Sequence, residues 1–329
     1  MTPWTRREFL TATGVAGLAL TACSSESSSG ANPDSGAVTL KHAFGETTIP
    51  SPPKRVVSAG FTEQDDLLAV GTVPIATTEW FGAEPFAVWP WAQSALRGAQ
   101  PTVLHIDDGI QVEQIAALKP DLIVAINAGC DEATYEKLSA IAPTLPQSGR
   151  SPFFESWRDQ ATAIGRATFS GDRMTALIKG VEDRFTAAGT ANPQFKDKSV
   201  LLLQGSTEWE NSVIASTPGW RTGFLTQMGL VIPDSITEFT DDGHDRAVIP
   251  LDKVGPALDA ADVLIWACES EEQRAALLAD PRIAELRASR ENRNVFTTRE
   301  QAGAIAFASV LSYPLVADQL PPLLAQALA

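Results

Sequence analysis

Gly171-Asp172-Arg173-Met174-Thr175-Ala176-Leu177-Ile178-Lys179-Gly180-Val181-Glu182-Asp183-Arg184-Phe185-Thr186-Ala187-Ala188 separates two halves of the chain that read alike, and its conformation decides the fold. Met174, Leu177, Ile178, Val181 and Phe185 recur at helical spacing, and no proline interrupts them. At a rise of 1.5 Å per residue the stretch makes roughly 25 Å of continuous helix. A flexible linker would be rich in Gly, Ser or Pro. The segment therefore predicts a stiff spine joining two lobes, the alternative being an ordinary core helix inside one large domain.

On the N-terminal side, short apolar or β-branched runs alternate with helical periods: strand Arg55–Ala59, helix Glu63–Val70, strand Pro74–Thr78, helix Gln111–Leu118, strand Asp121–Ile126 and helix Ala133–Ala142, stopped by Pro143. Such alternation argues for parallel βα units. A second set follows the spine: strand Ser199–Gln204, helix Gly219–Met228, strand Asp262–Ala267, helix Glu271–Ala279, strand Asn294–Thr298 and an apolar helical tail from Phe307. Asp121-Leu122-Ile123-Val124-Ala125-Ile126 before Glu132–Pro143 is echoed by Asp262-Val263-Leu264-Ile265-Trp266-Ala267 before Glu271–Pro281. One strand–helix unit is thus expected at equivalent places in each half. The fold class is α/β: two α/β lobes, residues 38–168 and 193–329, each with a mainly parallel sheet, bridged by one long backbone helix over 169–192.

The chain begins with Thr5-Arg6-Arg7-Glu8-Phe9-Leu10, an apolar run to Leu20, and Leu20-Thr21-Ala22-Cys23. This order reads as a twin-arginine export signal, residues 1–22, ending in a lipobox; the apolar run is too short for a membrane span. The pattern resembles bacterial lipoprotein signals, which makes Cys23 the lipid-bearing residue and 23–37 a solvated tether. The expected place of work is outside the cytoplasm, anchored to the outer face of the cytoplasmic membrane.

Cleavage after residue 22 would remove a net +1 from a chain of net charge −15, leaving −16 on 307 residues. That balance disfavours nucleic acid and anionic lipid surfaces as partners. Beyond Cys23 only Cys130 and Cys268 remain, so apolar burial must supply the stability. Both follow the echoed strands at the expected cleft edge. They would bond only if their Cα atoms came within about 7 Å, and equivalent places in two lobes need not be close.

In parallel α/β sheets ligands sit at the carboxyl ends of the strands. The loops there include Gly60–Glu63, the tract from Glu79 through Trp91, Ala128–Glu132, Gly205–Asn211, Ala267–Glu271 and Thr298–Glu300. Three of the eight tryptophans, Trp80, Trp89 and Trp91, fall close together beside Phe81. They read as an aromatic ligand platform, with one or two explicable as core, and Trp209 adds a ring from the second half. Arg150 and Arg299 are candidate planar donors to hydroxamate or carboxylate oxygens, against the plainer reading of exposed surface arginines. His42, His105 and His244 are widely spaced with no His-x-x-x-His or Cys-x-x-Cys partner, so a metal site has no support. A nucleophile elbow, a phosphate loop and a dinucleotide fingerprint are all missing from the sequence.

Pro53-Lys54-Arg55-Val56-Val57-Ser58, Asp66-Leu67-Leu68-Ala69-Val70-Gly71, Gln114-Ile115-Ala116-Ala117-Leu118-Lys119-Pro120-Asp121-Leu122-Ile123-Val124 and Ala302-Gly303-Ala304-Ile305-Ala306-Phe307 resemble the iron-siderophore-binding lipoproteins of ABC importers, from about Val38 to the end. The resemblance implies two lobes bridged by one helix and a cleft that holds a ferric siderophore, of hydroxamate type in our reading. It implies no cofactor and no chemistry, the iron being held by the siderophore. It also implies acidic docking residues for the membrane permease: Glu132 on the first lobe and, on the second, an ambiguous choice among Glu269, Glu271 and Glu272. A monomer is expected. The competing readings are a haem binder with Tyr135 or a histidine as axial ligand, and a surface hydrolase or metalloenzyme using carboxylates such as Glu63 and Glu79.

Overall fold

The computed structural model describes residues 36–149, 151–207, 211–240 and 245–329. The first lobe carries strands β3 (Val56–Ser58), β4 (Ala76–Thr78), β5 (Thr102–Leu104), β6 (Leu122–Ala125) and β7 (Thr144–Pro146) in the order β5-β4-β3-β6-β7, all parallel. They are preceded by an antiparallel hairpin, β1 (Val38–His42) and β2 (Gly45–Ile49), which sequence periodicity did not predict. The second lobe holds β8 (Val200–Gln204), β9 (Ser212–Ser216), β10 (Arg246–Pro250), β11 (Val263–Ala267) and β12 (Asn294–Phe296) in the order β10-β9-β8-β11-β12. There β8, β11 and β12 pair in parallel, while β9 runs against both of its neighbours, β8 and β10.

Both sheets are covered on both faces, which is why their central strands are apolar without alternation. In the first, Val57, Ile123 and Ala125 pack into one cluster and Val56, Leu122 and Val124 into another. In the second, Leu201, Leu203, Leu264 and Trp266 face outward, while Val200, Leu202, Val263 and Ile265 face the spine.

The spine is one helix, Gly171–Ala191, about 31 Å long at 1.5 Å per residue. It buries Met174, Val181 and Phe185. Helix Trp157–Ala167 and the closing helix Tyr313–Ala327 pack against it, and Trp157, Phe185, Phe224 and Tyr313 share one core that joins both lobes. The expected helical tail from Phe307 begins later, at Tyr313 (Tyr313–Ala327), and Phe307 closes a separate helix, Arg299–Phe307. The break falls at Ala308, which takes a left-handed φ of 48°. Among the described residues no helix is long and apolar enough to cross a membrane.

The echoed units occupy equivalent places. β6 and β11 are each fourth in their sheet order, each between two parallel neighbours. Each is followed by a capped helix: Asp131 accepts from Thr134 N before Glu132–Ser139, and Ser270 accepts from Gln273 N before Glu271–Ala279.

Candidate functional site

β3 leads directly into the short helix Glu63–Ala69, in which every residue is buried, Glu63, Asp65 and Asp66 included. Glu63 Oε2 accepts from Gly60 N at 2.9 Å and Ser58 Oγ at 3.2 Å, and Oε1 accepts from Asn127 N at 2.8 Å. Burial nevertheless raises its pKa to about 7, because desolvation outweighs those bonds. Asn127, just beyond β6, donates from Nδ2 to Thr62 Oγ1 at 3.2 Å and accepts on Oδ1 from Phe154 N at 2.9 Å. A buried carboxyl thus organises two strand ends and, through Asn127, holds Phe154 in its left-handed conformation, φ 57°. Glu63 is enclosed by protein, so the hydrolase reading loses its first candidate. Glu79 Oε1 accepts from Ala83 N at 3.2 Å and serves its own loop.

Trp80, two residues beyond β4, is the centre of an aromatic wall. Its ring lies 5.6 Å from Phe61, 4.7 Å from Phe81, 5.1 Å from Phe154 and 5.7 Å from Phe307. Phe153 extends the stack, 5.8 Å from Phe61. These rings come from three loops of the first half, after β3, β4 and β7, and from the end of helix Arg299–Phe307. Spacing in the chain pointed to the Trp80–Trp91 tract alone, and Phe153 and Phe154 were missed.

The wall faces a cavity of about 310 Å³ between the lobes, at the low end of the size of small-molecule sites. Trp80, Phe81 and Phe154 line one side; the carboxyl ends of β8 and β11, with Gln204, Gly205 and Ala267, line the other. Two arginines that the sequence reading did not single out reach it, Arg221 and Arg246. Arg221 donates from Nε to Asp245 Oδ2, and its guanidinium stacks 4.8 Å from the Phe154 ring and 4.3 Å from Trp220. Its NH2 nitrogen is buried without a partner among the described residues. Arg246, opposite Ser216 in the β9–β10 ladder, shares Asp245 at 3.9 Å. Burial lowers the Arg221 pKa, but a guanidinium stays protonated at any ordinary pH. Glu269, two residues beyond β11, also lines the cavity, and burial raises its pKa.

The other expected residues are elsewhere. Trp89 is 1 % exposed, stacked on Trp91 at 5.0 Å and 10° and pressed between the two halves. A Cβ added to Gly303 would stand 2.6 Å from its ring, and one added to Gly82 (φ +97°) would stand equally close. Only glycine lets the two backbones approach this indole. Trp91 donates from Nε1 to Asp65 Oδ2 at 2.8 Å. Both therefore belong to the joint beneath the wall, which corrects the expectation that they line the cleft. Arg299 is also spent on the joint: it donates to Glu84 Oε1 at 2.7 Å and to Gly82 O, and lies 4.9 Å over Trp89. Arg150, Trp209 and Cys23 lie outside the described residues. Glu132, Glu271 and Glu272 are exposed on the first turns of the two equivalent helices. Tyr135 contacts Thr47 Oγ1 at 3.2 Å and His42 Nε2 at 3.3 Å, fastening the β1–β2 hairpin away from the cavity, and Tyr313 is buried in the core. Neither tyrosine is available as an axial ligand to haem in the cleft. Cys130 and Cys268 are two free, buried thiols in different clusters. Among the described residues no group of three or more His, Cys, Asp or Glu is placed to hold a metal ion.

Known proteins share this arrangement. A periplasmic solute binding protein of Mycobacterium smegmatis is 62 % identical and superposes with a TM-score of 0.85, covering 90 % of this chain and all of that one. The Streptococcus pneumoniae protein PiaA in complex with ferrichrome is 26 % identical, with a TM-score of 0.73 over 88 % of this chain and 98 % of that one. A probable siderophore-binding lipoprotein of Bacillus subtilis, YfiY, is 30 % identical over 258 residues, 76 % of this chain and 75 % of that protein. These are solute-binding proteins and not enzymes. With its match over residues 56–302, the chain belongs to the periplasmic binding protein family.

Proposed function

We propose that this protein is an exported, lipid-anchored solute-binding protein that captures a ferric siderophore of hydroxamate type and delivers it to an ABC permease for iron uptake. The observation that carries the reading is the pairing of an aromatic wall with Arg221, whose buried NH2 group beside the cavity lacks a partner among the described residues. Metal-bound hydroxamate oxygens keep residual negative charge and accept from a guanidinium, while rings contact the apolar linkers of the ligand. Iron stays in the siderophore. Relatives that bind ferrichrome or siderophores support the ligand class.

The same reading gives Cys23 the lipid and makes Glu132, with Glu271 and Glu272, the docking points for permease arginines. Their exposure at equivalent helix starts in the two lobes supports it. Tryptophan fluorescence titrated in parallel with ferrichrome, ferrioxamine B, a ferric catecholate and haem tests the ligand class. Saturable quenching by the hydroxamates is expected. Exclusive response to the catecholate or to haem would overturn the assignment. Arg221→Gln should weaken hydroxamate binding at least ten-fold, the scale of one lost charged hydrogen bond, about 1.5–3 kcal/mol.

A further inference from the structure

The second-lobe wall of the cavity is electrically lopsided. Across the sheet, Arg246 on β10 pairs with Ser216 on β9, and Gln204 on β8 pairs with Ala267 on β11, the first pair lying about two residues further back along the strands; all four line the cavity, and Glu269 follows Ala267. Three strand spacings of about 4.8 Å separate β10 from β11, roughly 14 Å end to end. At the β10 end two guanidinium groups, Arg221 and Arg246, share one carboxylate, Asp245, so that cations outnumber anions there among the described residues. At the β11 end Glu269 has neither a hydrogen bond to its carboxylate nor an ion pair among the described residues. The nearest cation acting on it is Arg299, and that guanidinium is already matched by Glu84 and Gly82 O. Among the described residues Glu269 thus lines the cavity as a solvent-exposed carboxylate with no direct partner, with only the engaged Arg299 acting on it.

A neutral ferric trihydroxamate satisfies the arginine end alone. It would leave the Glu269 carboxylate to lose water without gaining a partner, a net cost. An ammonium group on the ligand would remove that cost. Building on the siderophore reading above, we propose that Glu269 selects ferric hydroxamates that carry a pendant ammonium, the chelate oxygens lying toward Arg221 and Arg246 and the ammonium toward Glu269. Glu269 is then a specificity residue, distinct in role from the arginines that meet the chelate.

The test compares ferrioxamine B, which bears a terminal ammonium, with its N-acetyl derivative, which has the same chelate and no charge; ferrichrome serves as a third ligand. The full-length mature protein should bind ferrioxamine B about five-fold more tightly than the acetylated form, the scale of a partly exposed ion pair near 1 kcal/mol. The preference should shrink as salt is raised and vanish in Glu269→Gln. Equal affinity for the two ferrioxamines in the unmodified protein, or a preference that survives in Glu269→Gln, would overturn the role of Glu269 and leave the siderophore reading standing. Failure to bind any of the three ligands would remove the siderophore reading and this inference with it.

Discussion

Ser309 Oγ donates a hydrogen bond of 2.6 Å to Asp65 Oδ2, joining residues 244 positions apart in the chain. Ser309 sits in the break between the last two helices and Asp65 in the first helix of the first lobe, so the bond closes the molecule across its two halves. Trp91 Nε1 reaches the same carboxylate oxygen, and Trp91 carries Trp89, which carries Arg299. The floor of the cleft is this chain of contacts.

The joint and the wall should separate by mutation. Trp89→Ala empties a fully buried site between Gly82 and Gly303 and should cost about 3–5 kcal/mol of stability. Trp80→Ala removes a half-buried ring from the cavity and should weaken ferric-hydroxamate binding with a much smaller effect on unfolding. Thermal unfolding and fluorescence titration of the two variants check the division; a Trp89→Ala protein with an unchanged melting temperature would refute it.

Stability should fall as pH rises through the neutral range. Desolvation raises the carboxyls of Asp65 to about 6, Glu63 to about 7 and Asp66 to about 8. In the unfolded chain they titrate near 4. Between those values the folded state binds more protons than the unfolded state. The protonated forms therefore favour folding fully below about pH 4, and that contribution is lost as pH passes the folded values. Melting temperature should drop from pH 5.5 to 8.5, and Asp66→Asn should flatten the slope. A melting temperature that climbs across this interval would contradict the buried protonation.

Cys130 and Cys268 should both be found as free thiols. Burial pushes their pKa values up to about 12 and about 11, so little thiolate exists at neutral pH. Iodoacetamide should leave them largely unmodified in the native protein and label both once it is denatured without reductant. Mass spectrometry showing two fewer hydrogens and no label after denaturation would instead reveal a bridge.

Charge reversal at Glu132, Glu271 and Glu272 together should spare ligand binding and abolish uptake, since these carboxylates are exposed and none of them lines the cavity. Glu271 has a 3.7 Å contact with Arg274 to lose, and circular dichroism of the variant should confirm that the fold is kept. Radiolabelled iron uptake in cells whose own binding protein is replaced by the triple variant is the measurement. Uptake at the normal rate would remove the docking face.

Local sequence determined the repeated units and the spine. Asp121–Ile126 and Asp262–Ala267 are apolar runs whose burial on both faces needs no knowledge of partners, and Met174 to Phe185 keep one helical period throughout. Elements without such a pattern escaped: β9 and β10 are held by antiparallel pairing to the edge of a sheet, and the β1–β2 hairpin by contacts with Tyr135 and Gln147. Which aromatics and cations face the ligand was decided by tertiary structure alone. Trp80 and Trp89 are the same residue type nine positions apart, yet one lines the cavity and the other is enclosed by two glycines, one from each half of the chain. Arg299 and Arg221 are equally plausible on paper, yet Glu84 claims the first, and Asp245 leaves one nitrogen of the second without a partner among the described residues. A side chain's chemistry is written in its own residue, but its availability depends on neighbours that the fold sets beside it, some of them, like Glu84 for Arg299 and Gly303 for Trp89, more than two hundred positions away.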